Sequence, residues 1–341
     1  RGRELKEGNW EEVRNTDNRI RKQKKHEKKE HHKHITRRDL DTRDRYLGIK
    51  QIKSEFQPNT YHFKHHNKNK RVKITENAEY AATYLEEITW GEPEGKQNNH
   101  DRSKTKIVEG NIYFNTQPIT NEEVKEYLRK AKRRKATGPD ETPTEFFKEM
   151  LENEEAITNL TKQLNEWWEE KEPIPEELLK AKVALIFKGG STKLMSNYRP
   201  ISLLNTIIKM FAAIIKVRIA EKIDKHLHKT QYGFRKHRST NHAIQIVRRL
   251  IELGERKTSD ARKTRNNNIQ LLLLDWEKAF DKIDPEALFE AMKRMNIDDK
   301  LIRLTKQLYK NPQFRVEMGE QTSEWKKQTT GIRQGCTLSP Y

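Results

Sequence analysis

The sequence predicts an α+β fold for the part of the chain between about residue 112 and residue 341. Three observations lead to this prediction. Apolar residues recur at helical spacing behind several N-capping signals. Two short apolar runs and one hairpin pattern are typical of β-strands. These strands and helices interleave without a regular βα alternation, and the sequence contains no internal repeats.

Local signals mark where each helix begins. Thr120 opens the first one, because Glu123 follows three residues later and completes a capping box, and Gly138-Pro139 ends it. In the next helix Pro143 occupies the first helical position, which suits its fixed φ. Later helices share the same pattern of a cap or proline before spaced apolar residues; we expect them near Ile157, Ile207, Ser239 or Thr240, Asp284 and Asp298.

Three segments are predicted to form strands. Val183–Phe187 is a short apolar strand that runs into a Lys-Gly-Gly turn. Ile269–Leu274 is an uninterrupted apolar run, short enough for a strand that is buried on both faces. Residues 314–328 read as a hairpin around the Gly319-Glu320 turn.

The first third of the chain has a different character. Residues 1–72 carry 22 Lys and Arg against 11 Asp and Glu. Arg19 to Arg45 contains almost no apolar side chains to offset the entropy of ordering. We expect either a charged helix that binds a polyanion or a solvated linker. The predicted domains are therefore a basic, partly disordered extension over 1–110 and a folded domain over 111–341.

Composition restricts the class of protein. Hydrophobic residues make up 33% of the chain and charged residues 35%, with a net charge of +19. Cys336 is the single cysteine, which excludes a disulfide framework and fits a reducing compartment. No apolar run approaches the ~20 residues of a membrane helix. We expect a soluble, intracellular protein whose partner is a polyanion; the Lys22–Lys29 cluster would suit a nuclear location, although charge alone also explains it.

The first candidate site follows the predicted buried strand. Asp275 comes directly after the apolar run, where a rigid carboxylate could ligate a hard divalent cation such as Mg²⁺. Phe280, five residues later, could place a flat ring beside a bound sugar. Alternatively, Asp275 is only the polar end of a strand and Phe280 belongs to the core.

Two further candidates carry cations and glycines. In Gly331 to Pro340, Arg333 and Gln334 bring hydrogen-bond donors, and Gly335 allows the backbone to approach a ligand closely. Lys188 and Arg199 could clamp a triphosphate near a strand turn. The simpler alternatives are a glycine-containing loop and ordinary surface cations.

The fourth candidate is the segment from Gln231 to Arg238. Its aromatic residues alternate with cations that include Arg235 and Arg238, a pattern that suits stacking and backbone contacts with single-stranded nucleic acid. A basic loop anchored to the core by its aromatic residues would explain the same pattern.

Taken in order, these blocks resemble those of reverse transcriptases. The series is Lys188, Arg199-Pro-Ile-Ser, Gln231-Tyr-Gly-Phe-Arg, Asp275 with Phe280, and Gly331 to Pro340. Upstream, Lys135-Ala-Thr-Gly-Pro-Asp140 is similar to the extra N-terminal block of non-LTR retrotransposon and group II intron-type enzymes. The resemblance covers roughly residues 112–341.

The resemblance implies a right-hand polymerase fold with fingers and part of the palm. Asp275 would be the first palm carboxylate and would ligate Mg²⁺. The implied reaction is attack of a DNA primer 3′-OH on the α-phosphate of a dNTP along an RNA template, with two metals at the reacting oxygens.

The same resemblance assigns roles to the other candidates. Lys188 and Arg199 would hold the triphosphate, and Phe280 would reject a ribose 2′-OH. Gln334 and Gly335 would line the nucleotide and template side, and Arg235, Arg238 and Arg333 would contact nucleic acid.

One departure limits the expected activity. The family's aromatic-x-Asp-Asp motif would follow the Gly331 block, and the sequence stops at Tyr341 before it. We therefore expect an amino-terminal fragment that is inactive by itself. The alternatives are a non-catalytic nucleic-acid-binding module and an RNA-dependent RNA polymerase; Phe280 argues against the second, because a ribonucleotide enzyme must accept the 2′-OH.

Overall fold

A computed structural model describes residues 10–35, 61–67, 70–92, 108, 110–258 and 269–341. The chain divides into two compact units, Arg1–Tyr61 and His62–Tyr341. In the first unit, helix α1 spans Trp10–Ile35. Its sequence is highly charged, and those of its side chains that are described are mostly exposed. The rest of the predicted charged stretch, residues 36–45, lies outside the described residues.

The second unit mixes helices with one sheet, as the fold class predicted. Its helices are α2 Asn77–Tyr84, α3 Asn121–Lys130, α4 Thr144–Glu149, α5 Glu154–Trp168, α6 Glu176–Leu179, α7 Thr206–Ile223, α8 Thr240–Thr258, α9 Pro285–Arg294 and α10 Asp299–Leu308. Its strands are β1 Ala181–Phe187, β2 Tyr198–Leu204, β3 Gln313–Met318, β4 Gln321–Thr322 and β5 Lys326–Lys327. Among the described residues, no helix has the length and apolar character needed to cross a bilayer.

The sheet has the strand order β2-β1-β3-β4, and β5 also pairs with β3. Strands β1 and β2 form an antiparallel hairpin in which Ile186 lies opposite Arg199 and Val183 opposite Ser202. Strand β3 runs parallel to β1 and antiparallel to β4 and β5. This arrangement makes β2 an edge strand of the sheet.

Helix α7 is the centre of the helical core. Ten of its eighteen residues are buried, although Val217 is 52% exposed. The Phe211 ring meets the rings of Trp167 and Trp168 edge to face, at centroid distances of 5.7 and 6.3 Å. Helices α3, α5 and α10 pack around this centre.

Arg218 is the one cation on the buried side of α7, and it is 2% exposed. Its guanidinium donates to both oxygens of the Glu123 carboxylate, at 2.8 and 2.7 Å, and lies over the Trp168 ring at 4.3 Å. It also donates to the backbone carbonyls of residues 115, 117 and 118. Arg218 thereby ties the start of α3 to the core, because every donor of a buried guanidinium must find an acceptor.

Residues 62–92 belong to the second unit, which differs from the predicted domain boundary at 110. Phe63, Ala81 and Trp90 are 0–1% exposed. Helix α2 packs against β3 and β4. Basic composition led us to assign this segment to an extension, but most of its apolar residues are buried, with Ile74 and Ile88 as exposed exceptions.

Most of the predicted helix starts are confirmed. The predicted end at Gly138-Pro139 is wrong, because α3 ends at Lys130, and Pro143 lies at the N-cap of α4 rather than at its first position. The Thr120–Glu123 capping box is present, and the Asp284 and Asp298 side chains cap α9 and α10. The strand predicted at 183–187 and the hairpin at 314–328 are also found, with shifted ends.

The strand predicted over Ile269–Leu274 is not formed. This run has no regular secondary structure and pairs with no strand in the part of the chain that the structure describes. The side chains of Leu272 and Leu273 are 83% and 91% exposed. A strand buried on both faces needs partners at its edges and cover above and below it, and the described residues supply neither here.

Candidate functional site

The 331–335 loop joins two parts of the candidate site. On one side, Gly331 N–H donates to the Ile283 carbonyl at 2.7 Å, and Ile332 N–H donates to the Phe280 carbonyl at 2.8 Å. On the other side, Ser202 N–H of the edge strand β2 donates to the Gln334 carbonyl at 2.7 Å. The loop therefore connects the Phe280 segment to the β1–β2 hairpin through backbone hydrogen bonds.

A buried carboxylate lies at the centre of this junction. Asp281 is 4% exposed, and its Oδ1 accepts hydrogen bonds from Trp90 Nε1 at 3.1 Å and from Gln334 Nε2 at 2.9 Å. The Thr330 hydroxyl donates to the Asp281 backbone carbonyl at 3.3 Å. We call these contacts the Trp90–Asp281–Gln334 network. It links the 62–92 segment, the Phe280 turn and the 331–335 loop.

Two glycines in the loop are required by close backbone approach. Gly331 has φ +79°, and a Cβ there would lie 2.6 Å from the Asp281 carbonyl oxygen. Gly335 has φ +136°, and a Cβ there would lie 2.2 Å from the Ser202 carbonyl oxygen. Both positions combine a left-handed backbone with no room for a side chain.

Lys188 and Arg199 lie on the β1–β2 hairpin, and both are exposed. Arg199 is paired with Ile186, and Lys188 follows two residues later with its N–H bonded to the Asn197 carbonyl at 2.8 Å. Because side chains alternate along a strand, the two cations lie on the same face of the hairpin. They can approach one anionic group together.

The 62–92 segment supports this hairpin from behind. The Phe63 ring meets Tyr198 edge to face, with centroids 5.4 Å apart. Lys64 N–H donates to the Lys193 carbonyl in the hairpin loop at 2.9 Å. The loop that carries the cations is thus held by residues more than a hundred positions upstream.

Asp275 is exposed and lies in the irregular segment before the 277–282 turns. In the part of the chain that the structure describes, no three His, Cys, Asp or Glu side chains form a group that could hold a metal ion. Asp281, six residues later, is already committed to Trp90 and Gln334. Mg²⁺ prefers several oxygen ligands, whereas Asp275 offers it a single carboxylate. The described residues therefore do not fit a two-metal site.

The Phe280 ring is half-buried and packs edge to face against Phe234, with centroids 6.1 Å apart. Phe234 is 64% exposed and adopts a positive φ of 60°. Phe280 therefore keeps part of its surface available, rather than lying wholly in the core.

Two of the arginines predicted to bind nucleic acid are used inside the fold. Arg235 is 8% exposed; its Nε and Nη2 each lie 3.0 Å from an oxygen of Asp224. This hydrogen bond is the main reason that the pKa of Asp224 is lowered. Arg333 is 3% exposed beside Tyr309, and burial lowers the pKa of its guanidinium and raises that of Tyr309 to about 12. Neither side chain is available to a phosphate, which corrects both expectations.

Arg238 remains exposed and lies over the Tyr232 ring, with its guanidinium carbon 5.8 Å from the ring centroid. These residues line an open groove of about 710 Å³ along α8, together with His242, Arg248 and Arg249. An aromatic face beside three guanidinium groups is suited to a base and its neighbouring phosphates.

Sequence reasoning missed Trp90 and Asp281. Asp281 ends the segment that carries Asp275 and Phe280, so its position was a usable signal. Trp90 follows an apolar pattern of helical period in a segment that we had assigned to the basic extension. Its contact with Asp281 joins residues 191 positions apart, and the sequence carries no signal for it.

Residues 186–341 match the family model described as reverse transcriptase (RNA-dependent DNA polymerase), and this region contains strands β2 to β5 and the 331–335 loop. The chain is 27% identical over 222 residues to the transposon TX1 uncharacterized 149 kDa protein of Xenopus laevis, which covers 65% of this chain and 16% of that protein. It is 24% identical over 241 residues to the retrovirus-related Pol polyprotein from type-1 retrotransposable element R2 of Nasonia vitripennis. That match covers 71% of this chain and 21% of the relative.

A third relative is the RNA-directed DNA polymerase from mobile element jockey of Drosophila funebris, 28% identical over 228 residues, or 65% of this chain and 23% of that protein. Residues 186–341 therefore carry a reverse transcriptase match, and the three relatives are proteins of transposable elements. It spans 16–23% of the length of these three relatives.

Proposed function

We propose that this chain is part of an RNA-directed DNA polymerase that adds a dNTP to a DNA primer along an RNA template. The family match supports the reaction class. The observation that carries the proposal is the 331–335 loop, which is bonded to Phe280 and Ile283 on one side and to Ser202 of the cation-bearing hairpin on the other. The residues predicted to contact the nucleotide thus share one connected scaffold.

Each exposed residue of this scaffold has a proposed task. Lys188 and Arg199 bind the triphosphate from one face of the hairpin, which would be the fingers of a right-hand polymerase. Phe280 lies beside the sugar and rejects a 2′-OH. Gln334 and Gly335 line the nucleotide and template side, which would belong to the palm.

The chemical step needs more than the described residues provide. Mg²⁺, when bound in such an enzyme, stabilises charge on the transferring phosphate. Asp275 is the carboxylate of this chain that we propose contributes to metal binding, and Asp281 is held away from that task by Trp90 and Gln334. We therefore propose that the chain binds template, primer and dNTP but does not extend a primer by itself.

Equilibrium binding tests the nucleotide site. The purified chain, with an RNA template annealed to a DNA primer, should bind the templated dNTP more tightly than the other three. Lys188→Ala and Arg199→Ala should each weaken dNTP binding about tenfold, because each removes a charge-assisted contact. Lys193→Ala, in the same hairpin loop, is the matched control and should leave dNTP affinity unchanged. Equal effects of all three variants would contradict the proposed site.

Primer extension and sugar selection test the remaining parts. We expect no dNTP incorporation by the chain, and templated extension would overturn its proposed inactivity. Phe280→Ala should narrow the preference for dNTP over the matching ribonucleotide in the same binding assay. An unchanged preference would remove Phe280 from the sugar site, whereas a wild-type chain with no preference for dNTP would favour an RNA-synthesising enzyme.

A second candidate function is binding of single-stranded RNA along α8, which the Tyr232–Arg238 groove favours. Each phosphate neutralised should contribute about −0.7 to the slope of log K against log salt concentration. Arg238→Gln should reduce that slope by about this amount. A salt-independent affinity would reject this function.

A further inference from the structure

The Trp90–Asp281–Gln334 network fixes which end of the Gln334 amide faces the site. A carboxylate oxygen only accepts hydrogen bonds, so the group of Gln334 that lies 2.9 Å from Asp281 Oδ1 must be the Nε2 amide nitrogen. Trp90 holds the same oxygen from the other side through its indole N–H. The amide cannot turn over without placing its own carbonyl oxygen against the carboxylate.

This orientation leaves the Oε1 atom of Gln334 for a ligand. Gln334 is half-buried, while Trp90 and Asp281 are 1% and 4% exposed. The buried pair is thus shielded from water, and the partly exposed amide is the member of the network that a nucleotide can reach. A side chain oriented in this way presents an acceptor whose direction is set before the ligand arrives.

We propose that Trp90 and Asp281 are positioning residues that hold the Gln334 amide so that its oxygen accepts a hydrogen bond from the bound nucleotide. The nucleotide group involved is therefore a donor, either a sugar hydroxyl or a base N–H. This inference rests on the proposed nucleotide site. It adds that Gln334 is the acceptor and the nucleotide the donor in one hydrogen bond of that site. It also gives the 62–92 segment a role in substrate binding through Trp90.

The test is a double-mutant cycle on dNTP affinity, measured with the full chain and an RNA template–DNA primer duplex. Asp281→Leu removes the acceptor at similar size, and Gln334→Leu removes the amide. Each should weaken dNTP binding about tenfold, and the double variant should be no weaker than either single one. Asp281→Asn keeps an acceptor oxygen for both donors and should bind dNTP within about twofold of wild type.

Thr330→Val is the matched control for local packing. It removes a hydroxyl that touches the Asp281 backbone but not its carboxylate, so dNTP affinity should not change. Retained affinity in Asp281→Leu, or additive losses in the double variant, would overturn the positioning role. Wild-type chain that binds no dNTP would instead contradict the proposed nucleotide site, and the positioning role with it.

A second variant keeps the proposal testable if Asp281→Leu does not fold. Gln334→Glu sets two carboxylates against each other and should weaken dNTP binding about tenfold. In the Asp281→Asn background one of the two carboxylates is replaced by a neutral amide, so the repulsion is removed and residue 334 still offers an oxygen to the nucleotide; affinity should recover. No recovery in that double variant would refute the proposed polarity.

Discussion

Replacing Gly335 by alanine tests how closely the 331–335 loop approaches strand β2. The added Cβ would lie 2.2 Å from the Ser202 carbonyl oxygen, so the loop and the strand must separate by about 1 Å to reach a normal contact. The hydrogen bond from Ser202 N–H to the Gln334 carbonyl, 2.7 Å long, would be lost in that movement.

The expected loss of stability has two parts. An alanine at a φ of +136° costs ~1–3 kcal/mol of backbone strain. The lost hydrogen bond and the displaced contacts add ~1–2 kcal/mol. Gly335→Ala should therefore destabilise the second unit by ~2–5 kcal/mol.

Gly189→Ala is a matched control for the strain alone. Gly189 has nearly the same φ, +139°, but nothing lies within 4 Å of its added Cβ. Urea unfolding followed by the fluorescence of buried Trp90, Trp167 and Trp168 reports on the second unit. Gly335→Ala should unfold with a free energy lower than that of Gly189→Ala by at least ~1 kcal/mol. If the two variants unfold at the same urea concentration, the close approach of loop and strand is not as described.

Three further predictions concern stability. Arg218→Ala should cost ~3–5 kcal/mol in the same urea assay, because Glu123 and three carbonyls lose a buried partner; a loss below ~1 kcal/mol would contradict that role. Burial alone raises the pKa of Glu123, but hydrogen bonds from Arg218 and the Thr120 backbone outweigh it and leave the pKa lowered. The ionised Glu123 thus stabilises the fold above its unfolded pKa of ~4.3, and this stability is lost as pH falls through the lower pKa that Glu123 has in the folded chain. Glu123→Gln should remove this pH dependence and flatten that part of a stability–pH profile. Leu273→Ser should change the unfolding free energy by less than ~0.5 kcal/mol, because this side chain is 91% exposed, whereas a strand buried on both faces would lose ~2–5 kcal/mol.

Signals confined to a few neighbouring residues were read correctly from the sequence. The Thr120–Glu123 capping box, the Asp284 cap before a proline and the Asp298 cap each complete their hydrogen bonds within four residues. A cap needs no information from the rest of the chain, so its pattern alone predicts the helix start.

Features that depend on a distant partner could not be predicted in this way. The run 269–274 has the composition of a buried strand, but composition does not say whether another strand lies beside it. In the sequence Arg235 resembles the other cations of a basic loop, but in the structure its guanidinium donates two hydrogen bonds to the Asp224 carboxylate. Burial of an arginine depends on where its acid lies, and the sequence spacing between them carries no such signal.

The same reasoning explains why the 62–92 segment was assigned to the wrong part of the chain. Net charge is summed over a segment, whereas packing depends on a few apolar positions within it. Trp90 alone packs edge to face on Phe314 at 4.6 Å, accepts from Thr330 N–H at 3.0 Å through its carbonyl and donates to Asp281 through its indole. A solvated linker would make none of these contacts, and Trp90 is 1% exposed. The 62–92 segment, which lies upstream of the family match, therefore contacts both the cation-bearing hairpin and the Trp90–Asp281–Gln334 network. The candidate site thus includes residues well upstream of the sequence blocks that first indicated it.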